Sequence, residues 1–233
     1  MANWGKSWVL HVPSGRISPE FYRHTHQKSI LYNIDTTSIT LNWAMLYMIL
    51  NQDIQRNVRK ELNESIGRQR KAKMAEKYLT PYTEAVIHEI QRRGNILPLS
   101  VFHCIQDNDT QSSFQVGQHK LPPKTVLIPL IGEVMHDPLY FPNPSRFDPN
   151  RYLSEEENGQ ITFKPHPRVI PFGIGKRRCL GEVLARMTLY KFFTAIVQKY
   201  EIVSGQDEPI TDEAKTGFTR SPIDYRIIFR PIL

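Results

Sequence analysis

The sequence predicts a mainly α-helical protein with small peripheral β-sheets, and three observations predict it. Apolar residues recur at three- and four-residue spacings over 29–66, 81–94 and 181–200, the signature of helices with one buried face. The strand-like runs are short and bounded by turn residues. Seven prolines fall between Pro138 and Pro171, too many for a long regular element, so that stretch must be coil packed on something else.

The elements follow in chain order. Residues 1–28 are mixed, polar and aperiodic, and no function is assigned to them. Ile30, Ile34, Leu41, Met45, Met48 and Ile49 form the stripe of the first helix. The charged residues of 53–73 read as its solvated continuation or a connector, with Gly67 as the break. Thr80-Pro81 offers a hydroxyl N-cap and a proline at the first helical position of a second helix. That helix turns Tyr82, Val86 and Ile90 inward, and Gly94 is its expected stop. Strand-like pieces occupy 97–105, 114–116 and 125–130, with Pro122-Pro123 marking the turn before the last. The final helix, 181–200, reads as strongly amphipathic with Val183, Leu184, Met187, Phe192, Ile196 and Val197 apolar, and a strand at 225–229 closes the chain.

A chain of 233 residues, 40% hydrophobic and 23% charged, is long enough for one sizeable globular domain. The net charge of +7 raises a nucleic-acid reading. The basic residues are scattered, however, with no helical stripe or aromatic-interleaved patch, and that reading is set aside. The cluster Lys176-Arg177-Arg178 suits an anionic cofactor or an acidic partner better. Two cysteines in unlike contexts make no disulfide framework, and Cys104, in an alternating stretch, reads as a small core residue. The first residues lack the apolar core of a secretory signal. The longest apolar run, 41–50, is interrupted by Asn42 and falls short of the ~20 residues of a spanning helix.

The chemistry concentrates in Phe172-Gly173-Ile174-Gly175-Lys176-Arg177-Arg178-Cys179-Leu180-Gly181. Glycines let backbone approach a flat cofactor, arginines supply positive potential, and the start of the next helix favours an ionised sulfur. Thiolate ligation of haem iron is one of the few uses that needs all three together. Three further features precede this loop: Asp35-Thr36-Thr37 in the first helix, Glu89-Ile90-Gln91-Arg92 with acid and base three apart on one helix face, and the proline-rich 141–152. Each has a bland reading alone, as a polar patch, a surface pair or a tight turn. Their occurrence in this order is what carries weight.

On these motifs the chain resembles the cytochrome P450 family of haem-thiolate monooxygenases, over roughly 35–229. The cysteine loop matches the family pattern Phe-x-x-Gly-x-x-x-Cys-x-Gly at every fixed position. Glu89 and Arg92 match its Glu-x-x-Arg helix. Arg151 stands in the downstream Pro-x-Arg-Phe-like element, with Tyr152 in place of phenylalanine. Phe141-Pro142-Asn143-Pro144 and Pro81-Tyr82-Thr83-Glu84-Ala85 resemble the animal microsomal subgroup. The resemblance implies a cytochrome P450 fold, its C-terminal portion from the distal helix onward, with 1–34 as an atypical lead and 35–233 as the haem-binding part.

It also implies roles. Cys179 would be the axial ligand of haem b, with Phe172, Gly173 and Gly181 around the sulfur and ring. Arg177 and His103 would meet the haem propionates, although Phe102 stands where a proline commonly precedes that histidine. Glu89, Arg92 and Arg151 would form a structural triad. Asp35 and Thr36 would relay protons on the distal side, while Leu97, Leu99, Val101 and Phe218 would touch substrate. Tyr32 and Asn33 stand where the family carries a small residue and a glycine, bulk expected to fill the dioxygen groove or redirect the helix. The implied reaction inserts one oxygen atom from O2 into an apolar substrate (fatty acid, steroid or xenobiotic), with electrons from NADPH through a flavoprotein reductase. The implied setting is the cytoplasmic face of the endoplasmic reticulum for a full-length member, the anchor and distal half being expected outside this chain. An alternative is a truncated, non-catalytic haem-binding or interaction protein.

Overall fold

The computed structural model describes residues 8–11, 25–105 and 114–232, with side chains over 35–105 and 115–232. Most of 1–28 and the side chains of Ile30, Tyr32, Asn33 and Ile34 lie outside the described residues, as do the readings made on them.

In chain order the elements are β1 (Trp8–His11), α1 (Thr25–Leu50), α2 (Gln52–Ser65), α3 (Pro81–Gly94), β2 (His103–Cys104), β3 (Phe114–Val116), β4 (His119–Leu121) and β5 (Val126–Leu127). There follow α4 (Ile131–His136), β6 (Leu153–Glu155), β7 (Ile161–Phe163), α5 (Glu182–Lys199), β8 (Tyr200–Ser204), β9 (Ala214–Thr216), β10 (Arg220–Pro222) and β11 (Arg226–Pro231). Helices α1, α2, α3 and α5 share one core with the inner residues of β8 and β11. The largest sheet is antiparallel with order β1-β11-β8, and the remaining strands form two-stranded antiparallel pairs. The architecture is helix-rich with small sheets, as the periodicity predicts.

The stretch 29–66 is two helices, a correction to the single one expected. Asn51 interrupts it at φ −129°, ψ 73°. The open carbonyls at the end of α1 are met by side-chain amides: Gln52 donates to Met48 and Ile49, and Gln55 to Met48. Both amides also reach the Ile202 carbonyl, and Ile202 N–H returns a bond to Gln55, so the break is clamped to β8. Residues 53–73 are correspondingly less solvated than their charge suggests, since Ile54, Val58, Leu62, Ile66 and Ala72 are buried. Gly67, at φ +96°, does follow the end of α2.

Helix α3 begins at Pro81 as expected, but Thr80 does not cap it. The Thr80 hydroxyl donates to Lys77 O and pairs with the Tyr190 hydroxyl. The Glu61 carboxylate of α2 caps instead, accepting from Tyr82 and Thr83 N–H at 2.8 Å each and from the Thr83 hydroxyl at 2.6 Å. A negative charge at a helix N-terminus is favourable, and this one also ties α2 to α3. The stop is Asn95, left-handed at φ 41°, not Gly94. Gly94 has another reason to be glycine: a Cβ there would sit 3.2 Å from Trp43 Cγ, so its bareness lets α1 approach α3.

Elsewhere the strands are shorter or shifted. Of 97–105 only His103 and Cys104 pair, because Ser100 turns at φ 53° with its N–H on Leu97 O. Of 125–130 only Val126 and Leu127 pair. The last strand starts at Arg226, after Tyr225 is drawn inward to hydrogen-bond Asn42. The proline-rich region contains an unexpected hairpin, β6–β7, whose turn carries Asn158-Gly159 with Gly159 at φ +80°. That dipeptide is a strong hairpin signal, and no proline falls between 149 and 165.

Two burial readings are corrected. Helix α5 is not strongly amphipathic: it buries Leu189, Tyr190, Phe193 and Val197 but exposes Val183, Leu184, Met187 and Phe192. Cys104 is exposed, not core: its two-residue strand borders a cavity and joins neither hydrophobic cluster.

Candidate functional site

One residue organises the coil that carries the cysteine loop. Glu89, on the buried face of α3, is wholly enclosed, as is Arg92 one turn on. The pair is bidentate, Arg92 Nε on Oε2 and Nη2 on Oε1, both at 2.8 Å. Arg92 also donates to Met135 O at 3.0 Å and Pro144 O at 2.8 Å, and its guanidinium lies 5.0 Å over the Phe141 ring. Arg151 completes the charge group differently. Its Nε sits 3.7 Å from Glu89 Oε1 without a hydrogen bond, while its Nη2 donates to Asn143 O. Coulomb attraction rather than hydrogen bonding joins it to the acid.

The sequence reading overlooked a fourth member. The Tyr152 hydroxyl donates to Glu89 Oε2 at 2.6 Å and Asp148 N–H to Oε1 at 3.1 Å. Burial, then the neighbouring Glu89 charge, raises the Tyr152 phenol well above its ordinary range, so it stays a donor. Tyr152→Phe should cost about 1.5–3 kcal/mol, the usual value for a buried hydrogen bond to a charge. Urea unfolding measures it; unchanged stability would mean that the hydroxyl contributes nothing.

His88, beside Glu89, packs edge-on against Tyr152 and Phe163 at 4.6 and 5.4 Å, and its Nε2 accepts from His166 N–H. Burial, reinforced by the Arg186 charge, lowers it from 6.5 to about 3. Between those values the unfolded chain binds the proton and the folded one does not. The histidine's contribution is therefore complete above about pH 6.5 and falls as pH drops, by up to about 1.4 kcal/mol per unit. The slope of stability between pH 7 and 5 should flatten in His88→Gln; an identical slope would refute this assignment.

The cysteine loop is closed by Cys179 N–H on Phe172 O at 2.9 Å, with Gly173 N–H on Ile170 O and Arg178 N–H on Gly175 O. Gly173 and Gly175 both sit at φ +72°, and a Cβ at either would meet no atom, so the backbone turn rather than space requires glycine. Arg178 turns back to pair with Glu182, which also takes Arg186 at 2.8 Å. Arg177 is left to face the cavity.

That cavity, about 480 Å³, has walls from five parts of the chain. Thr36, Thr37 and Thr40 come from α1. Ile96, Leu97, Ser100, Val101, Phe102, His103 and Cys104 come from the segment after α3, and Ile131 from the start of α4. Pro171, Phe172, Gly173, Arg177 and Cys179 belong to the cysteine loop, and Ala185 and Leu189 to α5. Cys179 is exposed, as are Leu180, Val183 and Leu184, which follow it in the chain. His103 Nδ1 is buried and has no hydrogen-bond partner among the described residues.

The structure thus brings Cys179, Phe172, Gly173, Arg177, His103, Thr36, Leu97 and Val101 to one cavity. Other candidates fall outside it. Gly181 is the residue preceding α5 and lines nothing. Asp35 is exposed on the neighbouring face of α1 from Thr36. Leu99 lies on the outside of the turn closed at Ser100, and Phe218 projects from the tip of the β9–β10 hairpin, 63% exposed. Thr37 and Thr40 were missed although hydroxyls at i, i+1 and i+4 on an apolar helix are a readable stripe. Ile131, Ala185 and Leu189 had no such signal.

The donor set fits a haem: the Cys179 thiol in a glycine loop, an arginine and an unsatisfied imidazole nitrogen for acidic groups, and walls that are otherwise largely apolar apart from Cys104 and the hydroxyls of Thr36, Thr37, Thr40 and Ser100. Comparison with known proteins agrees. The cytochrome P450 family model matches residues 19–229. Cytochrome P450 2J2 of Homo sapiens is 40% identical over 197 residues, 84% of this chain and 37% of that protein. Cytochrome P450 2D3 of Rattus norvegicus is 39% identical over 82% of this chain and 37% of its own length. Cytochrome P450 2A6 of Homo sapiens is 36% identical over 84% and 38% respectively. The chain spans well under half of the length of these relatives. With a matched model over most of its residues and a thiol-walled cavity built from the matched part, this chain belongs to the cytochrome P450 family.

Proposed function

We propose that residues 35–233 are the haem-binding, C-terminal part of a cytochrome P450 fold, serving a monooxygenase of the microsomal kind. The observation that carries this reading is the convergence of Cys179, Arg177 and His103, from separate segments, on one largely apolar cavity. Haem b, when bound, supplies the iron and dioxygen chemistry. The chain's own residues hold and surround it. Cys179 would hold the iron through its sulfur, and donors near Leu180 and Gly181 would tune it. Arg177 and the unpartnered His103 nitrogen orient the cofactor by its propionates, while Phe172 walls the sulfur side. Exposed Asp35 takes protons from water and passes them to the Thr36 hydroxyl at the cavity wall. Leu97 and Val101 select an apolar substrate: a fatty acid, a steroid or a foreign compound. Exposed Lys176, in the basic run 176–178, offers positive charge to an acidic flavoprotein reductase fed by NADPH, at the cytoplasmic face of the endoplasmic reticulum. Among the described residues no helix is long and apolar enough to cross a membrane.

The test is product formation. With haem, NADPH and reductase, substrate-dependent NADPH consumption should be coupled to a product carrying one oxygen from O2. Haem binding without coupled product would favour the non-catalytic reading, and failure to bind haem would remove the monooxygenase and leave only an interaction role.

A further inference from the structure

We propose that Arg220, which lines no part of the cavity, is a positioning residue that sets the separation of two cavity walls and so the shape of molecule admitted. The inference rests on the cavity being the ligand site proposed above.

Arg220 N–H donates to Ile96 O at 2.8 Å, at the point where the wall 96–104 leaves α3. Its carbonyl accepts from Trp43 Nε1 at 3.1 Å, one turn along α1 from the cavity residue Thr40. Its Nη1 donates to both Arg93 O and Gly94 O at 2.8 Å. These are among the last carbonyls of α3, which no helical N–H can reach. The guanidinium also lies 4.5 Å over the Trp43 ring, and that ring packs on Gly94. Backbone and side chain of one residue therefore join α1, the end of α3 and the substrate-side wall. A second tie lies at the foot of the same hairpin, where Arg93 pairs with Asp212 just before β9.

The chemistry explains why arginine serves here. A planar guanidinium donates to two carbonyls in its plane and stacks on indole with its face; an ammonium cannot do both from one position. Without the side chain two carbonyls lose their donor and Trp43 loses its cover. The hairpin that holds the Ile96 carbonyl by its backbone then loses this side chain's anchor on the end of α3, and the wall beginning at Ile96 shifts with it against Thr36, Thr37 and Thr40. The Cys179 loop touches none of these bonds, so the proximal side stays as it is.

Arg220→Met and Arg220→Lys in the full chain test this with two readouts. Amide hydrogen exchange over 96–101 needs no haem and should quicken roughly tenfold or more in Arg220→Met. Equilibrium binding of dodecanoate, a thin chain, and progesterone, a wide plate, should change unequally, their affinity ratio shifting at least about fivefold. Arg220→Lys should recover part of both effects, and it keeps the test valid should the methionine variant fold poorly. The absorbance of the reduced carbon monoxide complex should match wild type in both variants. Unchanged exchange, or equal weakening of both probes, would overturn the proposal. Absence of that absorbance in wild type would instead count against the haem reading, leaving exchange and probe binding to judge Arg220.

Discussion

Arg92→Ala is expected to destabilise the protein by about 3–5 kcal/mol, the usual cost of removing one partner from a buried ion pair. The loss is large because Glu89 is wholly enclosed and, among the described residues, keeps only Tyr152 and Asp148 as donors, with Arg151 at 3.7 Å as the remaining cation paired with it. The Met135 and Pro144 carbonyls also lose their donor. Against a typical total of roughly 5–15 kcal/mol this is a large fraction. For a chain of this size it corresponds to roughly 10 °C or more in Tm. The double replacement Glu89→Leu with Arg92→Met should be less harmful than the single alanine, since an apolar pair leaves no uncompensated charge. A loss below about 1 kcal/mol for Arg92→Ala would show that the cluster does not hold the proline-rich coil. The same single variant should speed proteolysis within 141–152, because that coil is attached to α3 through these bonds.

Cys179→Ser should have the opposite profile: little effect on folding, complete effect on the cofactor. The side chain is exposed, and the bond that closes its loop is made by backbone, Cys179 N–H to Phe172 O. Stability of the haem-free protein should therefore change by no more than about 0.5 kcal/mol, as for other surface replacements. After haem addition, reduction and carbon monoxide, wild type should show the shifted Soret band of thiolate ligation, and the serine variant should lack it. Retention of that band in the variant would refute the ligand assignment. Together the two variants separate scaffold from chemistry, since one removes stability through a site remote from iron and the other removes ligation with the scaffold intact.

Local chemistry was readable wherever it lies in consecutive residues. The cysteine loop, the Glu89–Arg92 spacing and Pro81 at the start of α3 each occupy one turn or one loop, where periodicity and backbone preference act directly. Partners from distant segments were not readable. Glu61 caps α3 from another helix, Tyr152 reaches Glu89 from 63 positions away, and Gln55 clamps the break at Asn51 to β8. Nothing in a polar side chain's own neighbourhood says that its oxygen will be the acceptor for a helix elsewhere. The Asn158-Gly159 hairpin is a different case, a local signal obscured by surrounding prolines.

The sequence by itself determined the helix-rich class, the thiol loop and the buried acid–base pair, because spacing along the chain dictates which face of a helix or turn a residue shares. Tertiary structure alone decided which residues meet in the cavity. It placed Thr36, Leu97, His103 and Arg177 there with Cys179, and left Asp35, Leu99 and Phe218 outside. The physical reason is that a wall is made where separate segments pack. The direction of each side chain at that seam follows from turns such as the one at Ser100 and from closures such as Gly94 on Trp43, which short-range pattern does not encode.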